Sequence, residues 1–331
     1  MPSIYKTLSF LFLFKLFVIF NLISANADEN FESWLSSYKK FALKKGVSQE
    51  TIDTAFKNVK FLEQVIRYDR KQPEFYEDTL TYVNKRATIS RAKSAKKLLK
   101  KNMSLFTEVE NKFSVEKEIL LALWGIETNF GKHVGKMDII SSLATLSYDK
   151  RRRDFFTSQL LILLELIDDE LLSPDELYGS WAGAFGNFQF MPSTIKNYAI
   201  DYDLNNKIEL KTSLKDSLAS AANYINRIGW KKNLPCFYEV KLSKKINKKF
   251  LNSSARNISN RLKVNKWKKK GITEIHDKEI NVNYKAALIW PDQKENTPMF
   301  LVFDNYEKIL KWNRSLRFGI SVCTLAQKIK I

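Results

Sequence analysis

Apolar residues return every three or four positions along most of this chain, the spacing that lays one hydrophobic face on an α-helix. Phe31, Trp34, Leu35, Tyr38 and Ala42 keep that period, as do Ile89, Ala92, Ala95 and Leu99. From Asp28 to about Lys112 the pattern is helical and charged, with few breakers. A helix start is expected near Ser114, whose hydroxyl can cap, with Glu116 and Glu118 suited to the positive end of the helix dipole. An uninterrupted uncharged run from Ile119 to Ile126 follows. Further amphipathic helices are expected over Arg153–Leu171, stopped by Ser173-Pro174, and over Leu214–Ile228, ending at Gly229. The period changes after Pro235. Residues 236–242, 279–290 and 299–303 read as strands, with Ile280, Val282 and Tyr284 alternating with polar neighbours. Helix returns from Tyr306 to the end. The chain reads as an α+β protein, mainly helical, with a small strand-containing insertion towards its C-terminus.

The first 27 residues follow a different rule. Lys6 supplies positive charge, Leu8 to Ile23 is apolar apart from Ser9, Lys15 and Asn21, and Ala25-Asn26-Ala27 offers an Ala-x-Ala cleavage site. That run is short against the roughly 20 apolar residues a membrane span needs. A cleaved secretory signal is expected, leaving no stable membrane span and a periplasmic product.

Composition narrows the chemistry. A hydrophobic fraction of 44% over 331 residues supports a sizeable core and argues against disorder. The only histidines, His133 and His276, and the only cysteines, Cys236 and Cys323, form no spaced zinc set and no Cys-x-x-Cys. No glycine-rich phosphate loop is present. Any reaction must rest on carboxylates, hydroxyls and amides, with no cofactor required. Whether the cysteines pair is left open by the sequence. Loss of Lys6 and Lys15 with the signal leaves 53 Lys and Arg against 36 Asp and Glu. On an exported protein such charge points to an anionic envelope polymer or surface rather than to nucleic acid. Lys241–Lys270 carries twelve Lys or Arg and no Asp or Glu.

Six of the ten glycines fall within residues 125–186, which marks that window for a cleft. Inside it stands Leu123-Trp124-Gly125-Ile126-Glu127-Thr128. Glu127 ends an apolar helix, with Leu123 and Trp124 on the adjoining surface. Such company should desolvate a carboxylate and raise its pKa. At an ordinary value near 4.3 only about one Glu in 500 is protonated at pH 7. Raised to about 6, roughly one in ten is, which suits a general acid for glycosidic cleavage.

These residues resemble the lytic murein transglycosylase B family, glycoside hydrolase family 103. Trp124-Gly125-Ile126-Glu127-Thr128 with Gly131 matches the family's W/V-G-x-E-T-x-x-G. Leu143-Ala144-Thr145-Leu146-Ser147-Tyr148-Asp149 with Arg151-Arg152 matches A-T-L-x-Y-D-x-R-R. Gly179-Ser180-Trp181-Ala182-Gly183-Ala184-Phe185-Gly186, then Gln189-Phe190-Met191-Pro192-Ser193, matches G-S-x-A-G-A-x-G-x-x-Q-F-M-P-S. Asn223-Tyr224, Gly229-Trp230 and Trp312-Asn313-Arg314-Ser315 complete the series, which runs from about Tyr82 to the C-terminus.

The resemblance implies a lysozyme-like catalytic core over 113–232, an additional helical region over 28–112, a small β-containing region over 233–303, and a helical return over 304–331 that completes the cleft. It implies cleavage of the β-1,4 bond between N-acetylmuramic acid and N-acetylglucosamine in peptidoglycan, without water, by Glu127 acting as acid and then as base. A hydrolytic muramidase and a non-catalytic murein-binding envelope protein are the alternatives. Peptidoglycan glycan strands are the implied partner, in the company of other cell-wall enzymes. Ser180, Gln189, Tyr224 and Asn313 are implied sugar-subsite residues, with Tyr82 and Phe318 as aromatic contributors; Phe318 replaces a family Tyr. Arg151 and Arg152 either grip peptide-stem carboxylates or pair with Asp149 and Asp154. Phe188 stands where the family usually has Gly. Asp201-x-Asp203-x-Asn205 resembles the start of a calcium loop, with Asn206 at position six, Thr212 at position twelve and Asp216 as a shifted substitute. A solvated helix-capping loop is the simpler reading there, with structural calcium the alternative.

Overall fold

Several helix starts in this protein are set by side-chain caps. Asp78, Thr88, Asp138 and Ser213 each accept a hydrogen bond from a backbone N–H of the turn they open. Ser114 does not take this role: it sits at φ +54° as the left-handed C-cap of the preceding helix, and the next helix starts three residues later.

The computed structural model describes residues 31–72, 76–274 and 284–330; the expected signal segment, His276, Ile280 and Val282 lie outside the described residues. Helices α1 (residues 31–44), α2 (Gln49–Ala55), α3 (Glu63–Arg70) and α4 (Thr79–Arg86) come first. Next are α5 (Ile89–Lys101), α6 (Met103–Phe113) and α7 (Lys117–Thr128). Strand β1 (Met137–Asp138), α8 (Ile139–Tyr148), α9 (Arg153–Asp168) and β2 (Tyr178–Gly179) follow, then α10 (Pro192–Tyr198) and α11 (Leu214–Arg227). The strand-rich stretch holds β3 (Phe237–Leu242), β4 (Leu251–Asn252), β5 (Leu262–Lys263), α12 (Val264–Lys269), β6 (Ile272–Glu274), β7 (Lys285–Ile289) and β8 (Met299–Val302). Helices α13 (Asp304–Trp312) and α14 (Leu316–Lys330) close the chain. No described helix is long and apolar enough to cross a membrane.

Contacts divide the chain into two units. The first combines residues up to Asp69 with Met137–Gly183. Here α8 and α9 pack together, and Ile140 and Leu143 of α8 and Leu160 and Leu164 of α9 are all essentially buried. The Ser141 and Thr145 hydroxyls of α8 accept from the backbone N–H of Lys60 and Leu62. The two-residue strands β1 and β2 pair antiparallel.

The second unit combines Arg70–Lys136 with the chain from Ala184 onward. Its helical part is built around α7, which packs against α14. Gly125 allows this approach: a Cβ there would lie 2.9 Å from the Phe130 ring and 3.3 Å from Leu325. Glu116, just ahead of α7, accepts from the Trp230 indole and the Asn233 N–H at 2.6 Å each, which ties down the Gly229-Trp230 motif. The sheet runs β4-β7-β8-β3-β6, with β5 on β7; β4 pairs β7 in parallel and the other pairings are antiparallel. Val240, Trp267, Leu288, Leu301 and Phe303 form its core. Sequence reading located β3, β7 and β8 but missed α12, which buries Val264 and Trp267 inside the basic stretch.

Cys236 and Cys323 form a disulfide between the entry to β3 and the middle of α14, closing a separation of 87 residues. Cross-links of this kind stabilise by about 2–4 kcal/mol, mainly by restricting the unfolded chain. The double Cys→Ser variant is expected to lose that amount in urea unfolding, and the loss should match that of the parent protein under reductant.

Candidate active site

The carboxylate of Glu127 owes its place to the way α7 ends. Asn129 and Phe130 both take left-handed backbone, at φ +49° and +61°, followed by Gly131 at +80°. Asn tolerates this conformation; Phe does so at a cost of order 1 kcal/mol, a strain typical of functional sites. Thr128, fully buried, holds the reversal in place. Its hydroxyl donates to the Asn187 carbonyl at 2.8 Å and accepts from the Gly131 N–H at 2.9 Å.

Asn187 is the hub of the wall beside it. Its side-chain oxygen accepts the Trp124 indole N–H at 3.1 Å, while its amide nitrogen donates to the carbonyls of Leu210 and Lys211. Gly131 must be glycine for this as well, because a Cβ would stand 2.7 Å from the Asn187 side-chain oxygen. Gly186, at φ +77°, passes so close to Leu210 that a Cβ would lie 2.5 Å from its carbonyl oxygen.

Glu127 itself is half-buried, and the Trp312 indole N–H donates to its Oε1 at 2.9 Å. Trp312 stands in an aromatic wall, with ring centroids 5.1 Å from Tyr224, 5.3 Å from Phe190 and 6.2 Å from Phe188. Phe188 in turn stacks on Trp124 at 6.4 Å. Its backbone is outside the left-handed region and its side chain is buried, so the departure from the family glycine fills this wall without straining the chain. The carboxylate thus meets an indole that is itself embedded among aromatic rings, and electrostatic interactions are stronger beside such low-dielectric surface than in open water.

The implied sugar residues occupy different situations. Gln189, at φ +51°, is half-buried, and its amide nitrogen donates to the carbonyls of Val134 and Gly186 at 3.0 and 2.9 Å. Asn313 follows Trp312 directly and is half-buried at the end of α13. Tyr224 is 9% exposed and donates its hydroxyl to the Lys311 carbonyl at 3.1 Å. Burial, and secondarily Tyr198, push that hydroxyl up to about 12, so it remains a neutral donor. Tyr224 therefore backs Trp312 and is not an open stacking platform. Tyr82 and Phe318 are 4% and 3% exposed, which corrects their expected place as aromatic contributors facing a sugar: both are core residues.

Ser180, Arg151 and Arg152 belong to the first unit. Ser180 is half-buried beyond β2, its hydroxyl accepting from the Ala182 N–H and its carbonyl from the Gly183 N–H. Both guanidinium groups meet Asp69, which is 1% exposed, while the Arg151 backbone N–H donates to the Asp149 carboxylate at 3.4 Å. Arg151 reaches its Oδ2 at 2.6 Å and Arg152 its Oδ1, while the Arg152 guanidinium also lies over the Phe156 ring. One buried carboxylate thus orients two guanidinium groups whose side chains remain about two-fifths exposed.

The acidic loop before α11 draws three of its carboxylates together. Asp201, Asp203 and Asp216 bring one carboxylate oxygen each within 4.8 Å of one another. Asn206, at position six, takes φ +67°, and Asp216, in the first turn of α11, accepts from the backbone N–H groups of Tyr202 and Glu209 at 2.9 and 3.0 Å. Asn205 is bound within the loop, accepting from the Lys207 N–H and donating to Glu209. Three convergent carboxylates are a hard-oxygen donor set that suits Ca²⁺.

Fold and site together define a class, the lysozyme-like transglycosylase fold, in which one helix-borne glutamate faces an aromatic wall. The chain belongs to the Transglycosylase SLT domain family, whose sequence profile matches residues 30–327. The membrane-bound lytic murein transglycosylase B of Escherichia coli (strain K12) is 30% identical over 224 residues, which is 66% of this chain and 58% of that protein. The chain thus spans a little over half the length of that curated relative. SltB3 from Pseudomonas aeruginosa, solved in complex with NAG-anhNAM-pentapeptide, matches at TM-score 0.82 and 32% identity, over 91% of this chain and 79% of that one. Escherichia coli Slt35, solved in complex with calcium, matches at TM-score 0.75 and 25% identity, over 92% and 93%.

Proposed function

We propose that this protein is a periplasmic lytic transglycosylase that cuts the β-1,4 bond between N-acetylmuramic acid and N-acetylglucosamine in peptidoglycan. The observation that carries the reading is Glu127, half-buried and held at Oε1 by the indole of Trp312. Protonated Glu127 gives its proton to the leaving O4 as the C1–O4 bond breaks. The resulting carboxylate then takes the proton of the muramic C6 hydroxyl while O6 bonds to C1. The proton balance closes on one residue, and no water is consumed. An anhydro sugar of this type is the ligand in the SltB3 structure, which supports the same product here.

Ser180, Gln189 and Asn313 are proposed to hold acetamido and hydroxyl groups of the sugars, and Tyr224 to support Trp312 from behind. Arg151 and Arg152, oriented by Asp69, are proposed to meet stem-peptide carboxylates in bidentate fashion. Mass spectrometry of products from purified sacculi tests the reaction. Muropeptides without a reducing end, lighter by one water than hydrolysis products, are expected; water-retaining products would establish a muramidase instead.

Calcium is proposed to sit between Asp201, Asp203 and Asp216, where it would order the loop that leads into α11. Added Ca²⁺ is expected to raise the thermal midpoint of the protein. The Asp201→Asn/Asp203→Asn double variant should lose that response. An EDTA-treated protein whose midpoint ignores calcium would remove the ion from the account.

A further inference from the structure

The basic stretch is not a diffuse coat of lysines. Most of its twelve cations are exposed, and Arg261 is the one with a described acidic partner, bridging to Asp304 and Glu307. Three of the others are gathered around one patch of apolar surface. The ammonium groups of Lys249 and Lys270 lie 5.4 and 4.3 Å from the centroid of the same Phe250 ring. The stem of Lys244 packs over Gly271, with its Cγ 2.5 Å from where a Cβ would stand. Helix α12 turns Val264 and Trp267 inward and presents Lys266, Lys268 and Lys269 outward. On the neighbouring ladder Lys263 stands directly opposite Lys285, and both are exposed. Like charges facing across a strand pair destabilise the fold. Crowding of this kind is relieved when a polyanion covers it.

We infer that this face of the sheet subdomain is an electrostatic docking surface for a carboxylate-bearing polymer. Resting on the function proposed above, that polymer is peptidoglycan, gripped through its stem-peptide carboxylates. A bilayer fits less well. Interfacial binding needs several large apolar side chains that can insert, and among the described residues of this face only Tyr284, beside Lys285, is strongly exposed: Trp267 is fully buried and Phe250 half-covered. Charge alone serves a hydrated polymer studded with carboxylates.

The test separates docking from cleavage by using the full chain with Glu127→Gln. Its sedimentation with purified sacculi is compared with that of the same protein carrying Lys244→Gln, Lys249→Gln, Lys268→Gln and Lys269→Gln. The parent is expected to pellet at low ionic strength and to be released as salt shortens the Debye length from about 10 Å towards 3 Å. The fourfold Gln variant should bind about tenfold more weakly, and the matching fourfold Arg variant should bind like the parent, which controls for folding. Sacculi with amidated carboxylates should fail to retain the parent. Without Glu127→Gln, the fourfold Gln variant should still cut short soluble glycan chains at the parental rate. Equal pelleting of the Gln and Arg variants would overturn the inference. So would stronger capture by phosphatidylglycerol vesicles or by duplex DNA than by sacculi.

Discussion

Replacing Glu127 by glutamine is expected to lower turnover on sacculi by at least about 10³-fold, the upper part of the range for general acid–base groups. The loss should be this large because one carboxylate is asked both to protonate O4 and to deprotonate the C6 hydroxyl. Glutamine can do neither. The substitution isolates the proton, since a glutamine Oε1 can still accept the Trp312 indole N–H that now reaches Glu127 at 2.9 Å. Thermal stability and sacculus binding should therefore remain near parental values. Glu127→Asp is the companion: it keeps the acid but withdraws it by one methylene. A displacement of that order costs about 10²-fold where reacting atoms must be aligned. Measured release of anhydro-muropeptides gives both numbers. Undiminished release from the Gln variant would place the chemistry on another residue.

The parts of this site that lie close together along the chain were legible from sequence, and the parts that close over long separations were not. The apolar run of α7, its terminal Glu127 and the glycine that follows all fall within fifteen residues, so their periodicity and motif could be read directly. The acidic loop before α11 was readable for the same reason, and its Asn206 takes left-handed backbone that Asn tolerates better than most residues. Long-range partners followed no local rule. Asp69 meets Arg151 and Arg152 from 82 and 83 residues away, whereas sequence reading looked to acids within two residues of the pair. Asn187 carried no predicted role, although its amide joins Trp124, Leu210 and Lys211. Its signal was only its place inside a glycine-rich motif. Tyr82 and Phe318 mark the opposite error, since an aromatic residue in a family motif serves a core as readily as a cleft.

Trp312 is the residue whose importance sequence reading underestimated most, and its removal should give the second-largest loss. It approaches Glu127 across 185 residues, from the end of α13, and donates its indole N–H to Oε1. Trp312→Phe retains a ring against Tyr224 and Phe190 but deletes the N–H. A hydrogen bond to a charged group contributes about 1.5–3 kcal/mol, so kcat is expected to fall roughly 10- to 150-fold. Substrate affinity should change little, because the missing bond ends on the enzyme's own carboxylate. The pH profile distinguishes positioning from packing. An indole N–H favours the charged form of its acceptor, and the first step needs the protonated form. Deleting the donor should therefore move the alkaline limb of the rate profile to higher pH, while a simple packing defect would lower the whole curve without shifting it. Trp312→Tyr, which matches the alternative in the family's W/Y-N-R-S, restores a donor and is expected to recover part of the rate and the original limb. If the Phe variant loses activity with its alkaline limb unmoved and the Tyr variant is no better, Trp312 is a wall of the site and does not position its acid.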